Sequence, residues 1–413
     1  MMQVGMMNAS DIDGRRLDAV MLSGLGRVFP AACLLVLQDG RALFQRSYGY
    51  LDPRQPRFPT QLDSYFDLAS LTKLFTWTAF MRLVETGRVA LADPLVAVIP
   101  EFAGVRPIGP AEEPLSKTCL PALTEYLGQR VDASHITFRH LLTHTAGLPA
   151  WRSVYLAAGD GTVGQRWRNA LQAICSWDFF YPPGARIVYS DVGFMLLGEA
   201  ITRLMGQPLE VCLQQAVFEP LGLTHTGYRP VRGITLDVGR GHVGILRGSD
   251  SDGAALEPLF APTEECPVRR YRLLGEVDDE NCAGLGGIAG HAGLFSTAAD
   301  VATLCEVYCD PAAGLLKSET VAETIRQQAA WQGQRRGLGW RLFAPDAPCG
   351  PAFGPRAFGH TGFTGTSAWI DPDRRLVVVL LTNRVYHGRG ALEIGDFRPL
   401  VHTAVIRALE EAG

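Results

Sequence analysis

The two ends of this chain carry the same kinds of element, and this feature most constrains how it can fold. Residues 12–28 have apolar side chains at helical spacing, and two strand-like runs then flank Asp39-Gly40, a dipeptide typical of tight hairpin turns. Near the other end two β-rich runs flank residues 371–373, and residues 397–412 again have one apolar face. Since the two ends carry the same kinds of element, they can share one antiparallel sheet with helices on its faces.

The middle of the chain has a different character. Helical patches such as residues 138–144 alternate with stretches rich in Pro, Gly and Asp, and residues 232–280 show little periodicity. The sequence therefore predicts an α/β (α+β) fold, in which an antiparallel β-sheet is flanked by N- and C-terminal helices and a mostly helical insert interrupts it. We expect residues 1–95 and 285–413 to form the α/β core domain and residues 96–284 the insert domain, with the active-site cleft between them.

Composition excludes several classes of protein. The 413 residues are 47% hydrophobic and 19% charged, which is enough apolar side chain for a large core and excludes a mostly disordered chain. The net charge of −4, without a marked run of Lys or Arg, disfavours nucleic-acid binding, and no apolar stretch reaches the length of a membrane span. The nine cysteines form no CxxC pair and the first residues do not resemble a secretory signal, so we expect a cytoplasmic protein.

A serine and a lysine three residues apart stand at the start of a strongly helical segment. Apolar residues recur after Leu68, so Ser70 lies near the helix N-terminus with Lys73 on the same face. A serine hydroxyl needs a neighbouring base to become a nucleophile, and a lysine kept neutral by burial, or acting through a tyrosinate, can supply it. The chain has only three lysines, which makes the spacing more informative, although a short S-x-x-K pattern also arises without function.

Two further segments have the composition of loops that project side chains into a cleft. Tyr189 precedes Asp191, which we expect to cap the following helix, so the tyrosine lies at a loop-to-helix junction. His360-Thr361-Gly362 leads into a predicted strand, and its glycine lets a ligand or another backbone approach closely. Taken alone, each segment is more simply explained as a packed turn.

The order of these three segments resembles the serine β-lactamase-like superfamily, on the side of the class C β-lactamases, D,D-peptidases, D-aminopeptidases and family VIII-type carboxylesterases. The resemblance extends from about residue 15 to the end and includes the segments ETGRVALADPLVAVIPEF, ITFRHLLTHTAGLP, GGIAGHAGLFSTAADVA and GLGW. It implies a β-lactamase/transpeptidase-like fold and an acyl-enzyme mechanism. It also implies that Ser70 is the nucleophile, Lys73 its partner, and Tyr189 the general base and then the acid.

The resemblance further implies which groups bind the substrate. The backbone N–H groups of Ser70 and Phe363 would form the oxyanion hole. Four more residues would line the substrate site: Asp191, His360, Thr361 and Gly362. Class C enzymes usually carry Asn where this chain has Asp191, and lactamases and peptidases usually carry Lys where it has His360. An ionised carboxylate only accepts hydrogen bonds and a neutral imidazole has no full charge, so both changes disfavour an efficient β-lactamase.

We therefore expect a serine hydrolase that acts on an ester or a small amide, without a metal or other cofactor. The alternative within enzymes is a true class C β-lactamase or D,D-peptidase, and the alternative outside them is an inactive penicillin-binding-like sensor or scaffold. The histidines at positions 135, 140 and 144 lack the HExxH spacing and carboxylate partner of a zinc site.

The expected partner is a small-molecule ester, amide or β-lactam. We expect no nucleic acid and no membrane span, and the sequence indicates no particular oligomeric state. Loops within residues 101–130 and 230–285 are expected to shape the acyl pocket.

Overall fold

The protein is described here by a computed structural model, which covers residues 12–229, 259–310, 313–390 and 393–412. Within these ranges it is a mixed α/β fold with antiparallel sheets and several helices, which confirms the predicted fold class. Residues 230–258 lie outside the described residues, so the predicted loops over 232–280 and 230–285 are described only from residue 259 onward.

The described strands are β1 Ala31–Gln38, β2 Arg41–Gly49, β3 Phe66–Asp67, β4 Val105–Pro107, β5 Ala111–Glu112, β6 Cys119–Leu120, β7 Arg130–Asp132, β8 Gly227–Tyr228, β9 Leu294–Ser296, β10 Ala329–Trp331, β11 Gln334–Arg336, β12 Arg341–Leu342, β13 Phe358–Thr361, β14 Ser367–Asp371 and β15 Leu376–Thr382. The described α-helices are α1 Gly14–Gly24, α2 Thr72–Glu85, α3 Phe138–Leu142, α4 Val154–Ala158, α5 Val163–Ser176, α6 Asp191–Met205, α7 Leu209–Leu213, α8 Glu219–Leu221, α9 Glu280–Gly284, α10 Ala298–Cys309, α11 Ser318–Ile325 and α12 Ile394–Ala412. None of these helices combines the length and the apolar character that crossing a bilayer requires.

An eight-stranded antiparallel sheet contains both ends of the chain, in the order β10-β11-β12-β13-β14-β15-β1-β2. Strand β1 pairs with β15, so the first and last long strands of the protein lie side by side. Both predicted hairpins are present. In the turn between β1 and β2, Asp39 and Gly40 have φ of 51° and 72°, the positive values that a type I′ turn requires and that glycine adopts freely.

Helices pack on both faces of this sheet because its central strands are apolar on both sides. Every residue of β15 is buried, and alternate residues of β1 belong to two separate apolar clusters. Leu34 faces the cluster that contains α1 and α12. Phe29, between α1 and β1, packs its ring edge-to-face on Phe397 of α12, with the ring centres 5.3 Å apart. Leu35 faces the cluster that contains α2 and α10. The predicted terminal helices are thus present, as α1 and α12.

Helix α2 lies at the centre of the molecule and positions the residues discussed below. All its residues from 72 to 81 are buried, and it packs against α6, which comes from the middle of the chain. Residues 96–284 contain helices α3 to α9 and also the short strand pairs β4–β7 and β5–β6. The division into core and insert domains at residues 95 and 285 stays a prediction.

Candidate active site

Ser70 lies in a strained turn that leads into α2. The turn Ala69–Leu71 is a 3-10 helix, and Ala69 has φ of 46°, in the left-handed region that alanine rarely adopts. The carboxylate of Asp67 holds the turn because it accepts a hydrogen bond from the backbone N–H of Ala69 at 2.8 Å. Burial raises the pKa of Asp67 to about 6. Sequence analysis did not identify Asp67, because a carboxylate that braces a turn has no pattern of its own.

The segment that follows the H-T-G sequence is bonded directly to this turn. Thr364 Oγ1 donates to the carbonyl of Asp67 at 2.7 Å, and Thr366 Oγ1 donates to the carbonyl of Leu68 at 3.1 Å. Glycine is required at position 362, since a Cβ there would lie 2.5 Å from the Leu68 carbonyl oxygen. The end of β13 and the start of α2 are therefore held in contact, although they are far apart in the chain.

Lys73 is fully buried, and its ammonium lies close to three oxygen atoms. Its Nζ donates to Ser70 Oγ at 2.8 Å and to the backbone carbonyl of His291 at 3.0 Å, and it lies 2.7 Å from Asp191 Oδ1. An ammonium has three N–H donors. Two of them are hydrogen-bonded, and Asp191 supplies the counter-charge without a hydrogen bond of full geometry. The structure thus brings Ser70, Lys73 and Asp191 together, as the sequence pattern predicted for the first two.

The resting protonation state of Lys73 differs from the expectation that burial keeps this lysine neutral. Burial alone would lower its pKa, but the neighbouring groups, above all the negative charge of Asp191, outweigh burial and raise the pKa of Lys73. Lys73 is therefore an ammonium at neutral pH, and the neutral lysine that burial would have produced is not the resting form. The sequence hypothesis omitted the counter-ion, which comes from a different helix.

Tyr189 stands immediately before α6, at the predicted loop-to-helix junction. Ser190 caps the helix, because its Oγ accepts a hydrogen bond from Gly193 N at 3.3 Å, so the prediction that Asp191 is the cap was wrong. Asp191 is instead the first residue of α6, which directs its carboxylate to Lys73. The imidazole of His144 fixes this junction, since its Nδ1 accepts a hydrogen bond from Ser190 N at 3.0 Å.

The Tyr189 phenol is buried beside the Ser70–Lys73 pair. Lys73 Nζ lies 5.0 Å from the centre of its ring. Burial raises the pKa of Tyr189, and the charge of Lys73 opposes this increase. Lys73 and Ser70 are close enough to the hydroxyl to lower its pKa, yet no hydrogen bond of full geometry forms to it among the described residues. The phenol is thus neutral and available to a reacting group.

A cavity of about 600 Å³ opens above Ser70 and contains the remaining predicted residues. It is lined by Tyr189, Asp191, His360, Thr361, Gly362 and Phe363. The backbone N–H of Phe363 has no acceptor among the described residues, and that of Ser70 lies in the first turn of a helix, where N–H groups lack helical partners. Both predicted oxyanion-hole donors therefore belong to residues that line the same cavity.

His360 is buried, and its Nδ1 lies 2.9 Å from the carbonyl oxygen of Thr361, to which it donates. Burial, and then the charges of Lys73 and Arg336, lower the pKa of His360 well below its usual value. The imidazole is therefore neutral at pH 7 and adds no positive charge to the cavity, as expected from the sequence.

Other parts of the cavity wall were not predicted as site residues. His291 Nε2 donates to Asp279 Oδ1 at 2.8 Å, and this pair holds the carbonyl that accepts from Lys73. In the turn between β5 and β6, the Lys117 ammonium lies 3.2 Å from the centre of the Trp151 ring, so this hairpin covers one end of the cavity. The described ranges contain no cluster of three or more potential metal ligands.

Comparison with known proteins identifies the family. The family model described as Beta-lactamase matches residues 17–400. This chain belongs to the beta-lactamase family. It is similar to the "Putative D-alanyl-D-alanine carboxypeptidase" of Salmonella agona (strain SL483), with 30% identity over 388 residues, 89% of this chain and 82% of that protein. Members of the superfamily to which this family belongs are serine hydrolases, which supports the assignment of this chain as a hydrolase.

Two solved structures have a similar fold. One is "EstCE1, a hydrolase with promiscuous acyltransferase activity", with a TM-score of 0.65, 22% identity, and coverage of 94% of this chain and 98% of that one. The other is "Simvastatin Synthase (LovD) from Aspergillus terreus", with a TM-score of 0.67, 18% identity, and coverage of 94% of this chain and 97% of that one. At these identities the likeness extends to the fold alone.

Proposed function

We propose that this beta-lactamase family member hydrolyses an ester or a small amide through an acyl-enzyme on Ser70. One observation carries the proposal: the Ser70 hydroxyl accepts a hydrogen bond from Lys73 Nζ at 2.8 Å, with the Tyr189 phenol buried beside both. A serine hydroxyl in contact with a titratable pair is the arrangement that nucleophilic catalysis needs. The unmatched N–H of Phe363 supports a place for the oxyanion.

In the proposed reaction Ser70 Oγ attacks the substrate carbonyl carbon and its proton passes to the Lys73–Tyr189 pair. The backbone N–H groups of Ser70 and Phe363 stabilise the negative oxygen, and Tyr189 then donates a proton to the leaving group. Water then attacks the carbonyl carbon of the acyl-enzyme and gives a proton to the Lys73–Tyr189 pair. Ser70 Oγ leaves and takes a proton back from this pair. Because the pKa values of both Lys73 and Tyr189 are raised, the resting pair holds both protons, and the form with one proton fewer becomes more populated as pH rises.

Labelling with a fluorophosphonate probe tests the nucleophile. We expect the wild-type protein to gain one probe adduct by intact mass, Ser70→Ala to gain none, and Lys73→Ala to react far more slowly. A wild-type protein that resists the probe and a panel of p-nitrophenyl esters would support the inactive sensor or scaffold. Labelling of Ser70→Ala at the wild-type rate would contradict the assignment of Ser70.

A second candidate is a D,D-carboxypeptidase, which the name of the Salmonella relative favours. It is distinguished by release of D-alanine from a peptide ending in D-Ala-D-Ala, compared with hydrolysis of a p-nitrophenyl ester by the same preparation. A higher kcat/KM on the peptide than on the ester would favour the carboxypeptidase over the esterase proposal. An efficient β-lactamase is disfavoured, because Asp191 is committed to Lys73 and His360 is neutral.

A further inference from the structure

Six cationic side chains line the cavity around Ser70: Lys117, Arg336, Arg341, Arg384, Arg389 and Arg398. Two of them form ion pairs with carboxylates, and three donate to backbone carbonyl groups. The exception is Arg336. Its guanidinium makes no ion pair and no hydrogen bond with any residue that the structure describes, and its Nε is completely buried.

Arg336 is held in the cavity wall rather than in solvent. It is the last residue of β11 and only 6% exposed, and its guanidinium carbon lies 5.6 Å from the centre of the Tyr189 ring. Burial lowers the pKa of Arg336 to about 10, which leaves it charged at neutral pH. A buried charge without a counter-ion destabilises a protein, so a partner is expected from outside the chain.

We propose that Arg336 is the binding site for a carboxylate of the substrate whose acyl group is transferred to Ser70. The inference rests on the proposed function and deepens it by naming a substrate class. A guanidinium matches a carboxylate with two parallel hydrogen bonds, which a lysine does not do. With His360 neutral and the other five cations each bonded to a carboxylate or a backbone carbonyl, Arg336 is the cation of the described cavity wall whose guanidinium has no acceptor among the described residues. The carboxylate belongs either to the acyl part or to the leaving group.

Two size-matched ester pairs test the proposal and separate these sources. The acyl pair is the mono-p-nitrophenyl ester of glutaric acid and p-nitrophenyl valerate, and the leaving-group pair is 4-acetoxybenzoate and 4-acetoxybenzamide. We expect the wild-type enzyme to prefer the carboxylate member of one pair by at least about tenfold in kcat/KM, chiefly through KM. Arg336→Gln should lose this preference, and Arg336→Lys should keep part of it.

Arg335→Gln is the matched control. The neighbouring Arg335 is on the same strand but donates to Gln327 Oε1 and to the carbonyl of Phe343, so its loss should leave the preference unchanged. The absence of a preference in both wild-type pairs would overturn the proposal. It would also be overturned if Arg336→Gln slowed the charged and neutral esters by the same factor, because that result assigns Arg336 to positioning Tyr189.

A binding measurement distinguishes failure of this proposal from failure of the proposed function. Ser70→Ala protein, with and without Arg336→Gln, is titrated calorimetrically with the amide analogues 4-acetamidobenzoate and 4-acetamidobenzamide and with the p-nitroanilides of glutaric and valeric acids. We expect the carboxylate member of one pair to bind about tenfold more tightly only when Arg336 is present. This result would stand even if no ester were hydrolysed, whereas equal affinities would overturn the Arg336 site and leave the Ser70 labelling test unaffected.

Discussion

The buried cations on the two walls of the cavity differ in whether they have a partner within the protein. On the wall formed by α2 and α6, the Lys73 ammonium donates two hydrogen bonds, and Asp191 supplies the counter-charge at 2.7 Å. On the wall formed by the sheet, Arg336 is also buried but has no hydrogen-bond or ion-pair partner among the described residues. The comparison indicates that the reacting groups are held in place before substrate binds, whereas the Arg336 guanidinium has donors available to a ligand.

Removing the Lys73 ammonium should have the largest effect on activity. Lys73→Met keeps the length of the side chain but removes the ammonium that contacts Ser70 and Asp191. We expect kcat/KM on a p-nitrophenyl ester to fall by about 10³- to 10⁴-fold, since general acid–base groups contribute on this scale. Cooperative thermal unfolding of the variant is the check that it is folded. A loss below tenfold would remove Lys73 from the mechanism.

Tyr189→Phe removes one oxygen from the same wall and should cost about 10²- to 10³-fold in kcat/KM. Its melting temperature should stay close to that of the wild type, because the hydroxyl makes no hydrogen bond of full geometry within the described structure. Tyr181→Phe is the control. The buried Tyr181 hydroxyl donates to the His144 carbonyl at 3.0 Å, so its loss should lower stability by about 1 kcal/mol and change activity far less. The reverse ranking would contradict the assignment of Tyr189.

Asp191→Asn keeps the shape of the side chain beside Lys73 but removes its negative charge. The charge of Asp191 opposes burial and raises the pKa of Lys73, so without it burial dominates and this pKa falls. The pair then loses its first proton at lower pH, and the rise of kcat/KM with pH should move to lower pH by about one unit. Profiles of both proteins between pH 5 and 10 measure the shift. A shift to higher pH would show that Asp191 does not act through Lys73.

Arg336→Met should have the smallest of these effects, and it should raise stability rather than lower it. Removing a buried charge that has no partner in the described structure should raise the melting temperature, by the equivalent of about 1 kcal/mol. Arg335→Met, which deletes two hydrogen bonds, should not raise it. Lower stability of Arg336→Met would mean that the two walls do not differ in the way described above.

The sequence by itself determined the local features of this protein. The Asp39-Gly40 hairpin, the terminal helices and the placement of Ser70 and Lys73 on one helix face follow from backbone geometry over a few residues. The elements at the two ends predicted the fold class, and the three motif segments together with four further segments predicted a family that the comparisons then confirmed.

Only the tertiary structure decided the charge state of the site. The sequence did not reveal that Asp191 would pair with Lys73 rather than cap its helix, that Asp67 would brace the nucleophile turn, or that Arg336 would be buried without a partner. These properties depend on which side chains distant segments bring together and on how completely they exclude water. Both desolvation and the field of neighbouring charges act through space, so spacing along the chain does not encode them in a readable pattern.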